Sequence, residues 1–554
     1  FMTLGQAYQM TGDEKYARAF MEIAEDWIDH VPLNEKYAAG PWRSLDTGFR
    51  GEYWSKAIWL FHDSPTLTEA FLQKYYDSMI LQAEHIMECH SAYRYMSNWG
   101  VIENHGLFEI GVCLPQSEKT KQFIAFAVKN LEVQVRMQIM PDGVHWEQSP
   151  MYHNEVLHCL LDVILLAKRN GIALPDVILR QTEKMAMADV AWLKPDHHIV
   201  MMGDSDDVDV RDRISVAAYL FLNPVLRFGG FDRLDYESIW DLGMKAGEEY
   251  AVMERRKPDF TSLFLEHSGN TYFRSDWSER ANFLHLHSGT MGAGHGHSDK
   301  LHIDLVVNGE DVLMDGGRYT YVSGPKRFSY KDPSGHNTIT VDDLPFTVCK
   351  DSWECSKLSQ PVKENFRCTK LAEFAQAGQL GYMDLPGGVY VNRKVVYIKP
   401  DLYILVDEMY TGDCHTYQQY FHFNNHGAVT LTAPGEKKFP CVAYRGKMAE
   451  ADFYFVSAQV KAELKRGHIA RHYNVEEENT VCKVTKPGDG FTSLITVIDA
   501  HPGRPLSIEK LPVRSALKQT DYPETMAEAL KITTGEKEYV VILCHQEVNS
   551  PTDL

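Results

Sequence analysis

Apolar positions recur every three to four residues through the first 250 positions of the chain, and alternate after that. Tyr16, Phe20, Ile23, Ala24, Trp27 and Ile28 mark one face of a predicted helix, with Thr11-Gly12-Asp13-Glu14 before it as a predicted capping box. Similar periods run through 54–61, 67–89, 119–140, 154–169 and 175–192. Breakers separate them at Pro32, Gly40-Pro41, Pro115, Pro141-Asp142-Gly143, Gly171 and Pro195. Antiparallel helices with short connections predict a bundle or a toroid of helix hairpins, without a clean sequence repeat.

The pattern changes at Glu254-Arg255-Arg256-Lys257-Pro258, the best linker candidate. Beyond it 281–287, 301–313, 336–341, 389–406, 417–423, 453–460, 491–498 and 539–544 read as strands, and Asn308-Gly309 as a hairpin turn. Helices first and strands second predict an α+β chain with segregated domains. The reading is a helical domain over 1–255 and an antiparallel β-sandwich or sheet domain over 256–554, with a smaller sheet after about 450.

Composition narrows the class. With 554 residues, the chain is too long for one simple core, and 44% hydrophobic with 24% charged residues excludes disorder over most of it. A net charge of −20 argues against a general nucleic-acid binder but allows an anionic ligand in a locally basic cleft. No run approaches the roughly 18 uninterrupted apolar residues of a membrane span. The start, Phe1-Met2-Thr3-Leu4, shows no signal-peptide pattern and runs straight into a helix, so a leader or an earlier helix is expected to precede it. The ten cysteines are scattered without a CxxC pair and are expected to be reduced, buried thiols.

Four segments carry candidate chemistry. Gly292-Ala293-Gly294-His295-Gly296-His297-Ser298-Asp299 sets two histidines in a glycine-rich loop. His297 groups with Asp315 and His336 as a zinc-type set of two imidazoles and a carboxylate, or all three are ordinary polar loop residues. Asn98 and His105 lie seven apart and share a face if the segment is helical; otherwise Asn98 caps a helix. The loop 141–153 offers Trp146 as a sugar platform and Tyr152 as a proton carrier, or a capped helix start with Tyr152 in the core. Trp42 and Arg50 line an anionic-sugar site or a buried Arg–Asp network. A GxSxG elbow, a phosphate loop and a dinucleotide fingerprint are absent from the sequence.

In this order, Asn98-Trp99, Pro141-Asp142-Gly143 through Gln148-Ser149-Pro150 and Tyr152, His295-Gly296-His297-Ser298-Asp299, Asp315-Gly316-Gly317 and His336-Asn337 resemble the heparinase II/III-like polysaccharide lyases over most of the chain. The resemblance implies an incomplete (α/α) toroid followed by antiparallel sheets, and β-elimination at a uronic acid of a glycosaminoglycan such as heparan sulfate, hyaluronan or chondroitin. It implies that Asn98 or His105 neutralises the substrate carboxylate, and that Tyr152 and His295 move protons across a shared groove. A free tyrosine titrates near pH ~10, so neighbours must favour its phenolate if it acts as base. Trp42, Arg50, Trp99, Trp146, Glu147, Arg318 and Tyr319 are the expected substrate contacts. Tyr319 and Tyr321 are further proton carriers in alginate-type relatives. A structural divalent metal, zinc by expectation, would sit on His297, Asp315 and His336. The resemblance also implies an anionic polysaccharide partner, no nucleic acid, a dimer as a possible assembly, and a periplasmic or secreted location, with the cytoplasm left open.

Competing readings are an alginate or other uronate lyase, a glycoside hydrolase using two of Glu103, Glu109 and Glu147, a non-catalytic polysaccharide binder, and a metal hydrolase on His297, Asp315 and His336.

Overall fold

The structure is a computed structural model that describes residues 1–432, 438–535 and 537–545. The chain is α+β and divides into two compact units. One holds 1–146, 152–190 and 210–256; the other holds 147–151, 191–209 and 257–554.

In the helical unit, helices α1 (Met2–Thr11), α2 (Lys15–His30), α3 (Ser44–Leu60), α4 (Glu69–Cys89), α5 (Asn98–Cys113), α6 (Glu118–Gln138), α7 (Pro150–Asn170) and α8 (Asp176–Trp192) follow one another, with the longer connections at 31–43 and 139–149. Shorter helices cover Arg211–Phe221, Pro224–Gly229, Tyr236–Leu242 and Met244–Ala251. The predicted capping box does not form. Thr11 closes α1, with Gly12 left-handed behind it, and Asp13 Oδ1 accepts the Lys15 N–H instead. Phe20 on α2 packs on Phe61, with ring centroids 4.6 Å apart, and on Phe71 and Tyr75; of the predicted face Phe20 and Ala24 are buried, while Ile23 is exposed.

Helices α3 and α5 touch backbone to backbone. A Cβ on Gly106 would lie 2.1 Å from the Gly48 carbonyl oxygen, and one on Gly51 would lie 2.7 Å from that of Gly106. Only glycine permits this approach. It drives the next residues in sequence, Glu52 and His105, into the same interior.

In the sheet unit, short antiparallel strands Leu263–Leu265, Asn270–Arg274, Phe283–His287, His302–Val307 and Glu310–Leu313 pair in order. Asn308 and Gly309 both have positive φ, as a type I′ hairpin requires. The sequence reading split the next region wrongly. One strand of 22 residues runs Leu402–Phe423 and absorbs an irregularity between Tyr410 and Cys414, pairing with a 25-residue strand, Val475–Asp499. A separate three-stranded sheet is made by Leu506–Leu511, Ala527–Thr534 and Lys537–Cys544. Inside the large sheet Arg393 makes a two-pronged pair with Asp407 at 2.6 and 2.9 Å and donates to the Asn337 carbonyl at 2.7 Å. No helix among the described residues is long and apolar enough to cross a membrane.

Candidate active site

The glycine-rich loop is organised by a residue that the sequence reading passed over. Asp204 accepts the His295 Nδ1–H on Oδ2 at 3.0 Å and the His297 Nε2–H on Oδ1 at 2.8 Å. Its own N–H donates to the His295 carbonyl at 2.8 Å, and Arg327 Nη2 adds a third donor at 2.8 Å. Burial opposes the Asp204 charge, yet the two imidazoles and the guanidinium hold its carboxyl well below the usual range. A carboxylate accepting both N–H groups fixes both tautomers: the acceptor nitrogen is Nε2 in His295 and Nδ1 in His297. Gly203 makes the contact possible. Its φ is +60°, and a Cβ there would lie 2.8 Å from the His295 carbonyl oxygen and 2.9 Å from that of Gln148.

Ligand atoms of His297, Asp315 and His336 lie within 4.8 Å of one another, all buried. His336 Nδ1 donates to Asp315 Oδ2 at 2.8 Å. That leaves His336 Nε2 and His297 Nδ1 as buried ring nitrogens with no hydrogen-bond partner. Two ring nitrogens without a hydrogen bond beside a carboxylate, with Asp204 bonded to one imidazole, make a candidate donor set for a divalent cation. Burial pushes His297 down to about 3, which keeps the ring neutral as a ligand must be. Behind this group lies a second buried layer that the sequence did not reveal. His285 Nδ1 donates to Asp304 at 3.0 Å and His302 Nε2 sits 3.1 Å from the same carboxylate.

The same loop that carries Asp204 also holds the start of α7. Ser205 Oγ bonds Ser149 Oγ at 2.9 Å and accepts the Met151 N–H at 3.1 Å. Gln148, at φ 52°, donates to the Ser268 carbonyl at 2.9 Å. Pro150 opens the helix, a position where its missing N–H costs nothing. Tyr152, half-buried, is the next residue along.

In the helical unit Ser97, not Asn98, is the N-cap of α5: its hydroxyl accepts the Trp99 N–H. Asn98 is the first helical residue and is buried. The ring of Trp99 beside it carries two guanidinium groups, Arg94 at 4.9 Å and Arg43 at 5.2 Å. Cations on an aromatic plate suit an acidic sugar. His105 lies two turns along, fully buried, with Glu109 and Asp162 oxygens each 3.4 Å from Nε2. The His105 ring thus faces carboxylates of the protein itself.

Other expected contacts are committed elsewhere. Trp42 is buried, donating to the Val31 carbonyl, and Arg50 lies between Trp27 and Trp42 while donating to Gln82 and Thr47. Arg318 makes a buried two-pronged pair with Asp206 at 2.7 and 2.8 Å. Each of the three thus has partners within the protein itself. Glu147 is 3% exposed, while Trp146 and Tyr319 are half-buried, Tyr319 stacked on Tyr330. Glu103 and Glu109 are at most 1% exposed, which removes the carboxylate pair a glycoside hydrolase would turn to its substrate. His297, Asp315 and His336 are no more than 1% exposed, which argues against a metal hydrolase there. His295 stays partly accessible, edge-on to Trp353 and Tyr321 at 5.3 and 6.0 Å.

Known proteins are similar to this chain in sequence and in fold. A heparin-sulfate lyase of Pedobacter heparinus is 26% identical over 379 residues, which span 64% of this chain and 53% of that protein. The match thus spans about half the length of that relative. A heparin-sulfate lyase of Bacteroides stercoris is 21% identical over 88% of this chain and 73% of its own. Among solved structures, a mutant of the heparan sulfate lyase HepC from Pedobacter heparinus superposes with a TM-score of 0.77 at 20% identity, covering 99% of this chain and 82% of that one, which shows a shared fold. With the Heparinase II/III N-terminus family model matching residues 1–224 and the Heparinase II/III-like, C-terminal model matching 257–505, the chain belongs to the heparinase II/III family.

Proposed function

We propose that this chain is a polysaccharide lyase that cleaves a uronic-acid-containing glycosaminoglycan, heparan sulfate first among them, by β-elimination. The observation that carries this reading is the Asp204–Ser205 loop. One residue fixes the tautomer of His295, and the next grips the backbone one residue before Tyr152.

The hydrogen on C5 of a uronate is a poor acid, because the adjacent carboxylate is already negative. Asn98 is assigned to hydrogen-bond that carboxylate, with Arg43 and Arg94 lowering the cost of its charge. Tyr152 and His295 are assigned to proton transfer at C5 and at the leaving oxygen on C4. The C5–H and C4–O bonds break, the C4=C5 double bond forms, and the products are an unsaturated uronate at a new non-reducing end and, once the leaving oxygen is protonated, a new reducing end. A divalent cation, zinc by expectation, would be held by His297, Asp315 and His336. There it would brace the loop that aims His295 without touching substrate.

The test is digestion of heparan sulfate, hyaluronan, chondroitin and alginate, with ultraviolet absorbance of the conjugated product followed over time. The reading expects absorbance to grow with at least one glycosaminoglycan. Reducing ends released without absorbance would make the protein a hydrolase. Growth on alginate alone would move it to the rival lyase class.

A further inference from the structure

The interior of the helical unit holds a cluster that the proposed reaction does not use. Glu52 and Lys56 come from α3, His105 and Glu109 from α5, and His158 and Asp162 from α7, each pair four residues apart on one helix face. Lys56 hydrogen-bonds Asp162 and lies 3.4 Å from Glu52 and 3.9 Å from Asp241. His158 Nε2 donates to Glu52 Oε1 at 2.9 Å. These contacts satisfy half of the cluster.

His105 is the remainder. It is fully buried among Glu109, Asp162 and Cys159, and neither its ring nitrogens nor Glu109 Oε1 is in a well-aligned hydrogen bond. Yet His105 Nε2 lies 3.4 Å from both Glu109 Oε1 and Asp162 Oδ2. Two ligands held at about 2.1 Å by one tetrahedral cation lie about 3.4 Å apart, so the spacing is that of ligands around an ion. A cavity of about 330 Å³ reaches the cluster, lined by Lys56, Glu109, Asp162 and Asp241, and gives an ion and its water a way in. Lys56 does not fill the role. Its ion pairs go to Asp162, Glu52 and Asp241, and none of them goes to Glu109 among the described residues.

We propose that His105, Glu109 and Asp162 form a second divalent-metal site, for a zinc-class cation, inside the helical unit. One imidazole and two carboxylates suit a borderline ion, and water from the cavity completes four-coordination. Lys56 keeps Glu52 and Asp241 when Asp162 turns to the ion. The site ties α5 to α7 and is independent of the lyase reading and of the group in the sheet unit.

The experiment starts from His336→Ala, which removes the sheet-unit group. The full chain is loaded with Zn²⁺, desalted, and assayed for zinc per folded chain by mass spectrometry. One equivalent is expected to remain. On that background His105→Ala is expected to lose it, and the near-isosteric Glu109→Gln to weaken zinc binding at least tenfold in a competition titration with a chelator. Glu109→Gln decides the question if His105→Ala fails to fold. A His336→Ala protein that retains no zinc overturns the proposal, and so does retained zinc whose affinity is unchanged by Glu109→Gln.

Discussion

Asp204 holds His295 through Nδ1 at 3.0 Å while holding His297 through its other oxygen at 2.8 Å. One carboxylate thus orients together the ring proposed as proton carrier and the first residue of the candidate cation group. Asparagine offers one acceptor oxygen where aspartate offers two, so Asp204→Asn must release one imidazole or flip its tautomer. Turnover is expected to fall roughly 10–100-fold, with KM nearly unchanged and circular dichroism intact. Wild-type turnover in this variant would show that His295 is oriented by something else.

The cation group makes a separate prediction. Because its ligands are buried, chelation or His336→Ala should lower the thermal midpoint first, and turnover should follow as the loop loosens. Differential scanning fluorimetry beside a rate assay checks this. Abolished turnover at an unchanged midpoint would put the cation at the chemistry instead.

Arg43 stands over Trp99 and is half exposed, so it can be removed without orphaning a buried partner. Arg43→Gln is expected to raise KM roughly two- to fivefold at low salt, in line with the ~1 kcal/mol ceiling of an exposed charge pair. The difference should vanish at high salt, where the interaction is screened. A KM that ignores both changes would mean that the patch does not meet substrate. Arg94 is a poorer probe, because its partner Glu103 is buried and would be left unpaired.

How much of this was legible in the sequence depended on range. The change from helical to strand period at 254–258 is local and survives in the structure. The join of 402–406 to 417–423 into one strand was not legible, because Gly412-Asp413 reads as a turn and only the partner strand carries the chain through it. Asp204 was invisible for a similar reason. Its partners lie 91 and 93 residues away, and an acid after a glycine is ordinary in a loop. The partners of Arg50 and Arg318 were not legible either, because residue type does not tell which buried carboxylate or tryptophan a guanidinium meets.

Acid stability should be governed in part by the three-stranded sheet. Burial disfavours the Glu528 charge, but hydrogen bonds from His545, Lys510 and Ser493 outweigh it and hold the carboxyl at about 2. Its folded value is below the unfolded one, so its contribution is full above pH ~4.5 and is lost as pH falls towards 2. Glu528→Gln is expected to flatten the fall in thermal midpoint between pH 5 and 3. An identical fall in both proteins would place the acid-labile group elsewhere.

The account rests on a phenol and an imidazole that move the protons of an elimination. The most direct measurement is the rate of ultraviolet-absorbing product from heparan sulfate with wild-type protein and with Tyr152→Phe, a change that removes one hydroxyl and leaves the ring. The account predicts a loss of roughly 10²–10⁴-fold in kcat with substrate binding retained. Unimpaired product formation by Tyr152→Phe would contradict it.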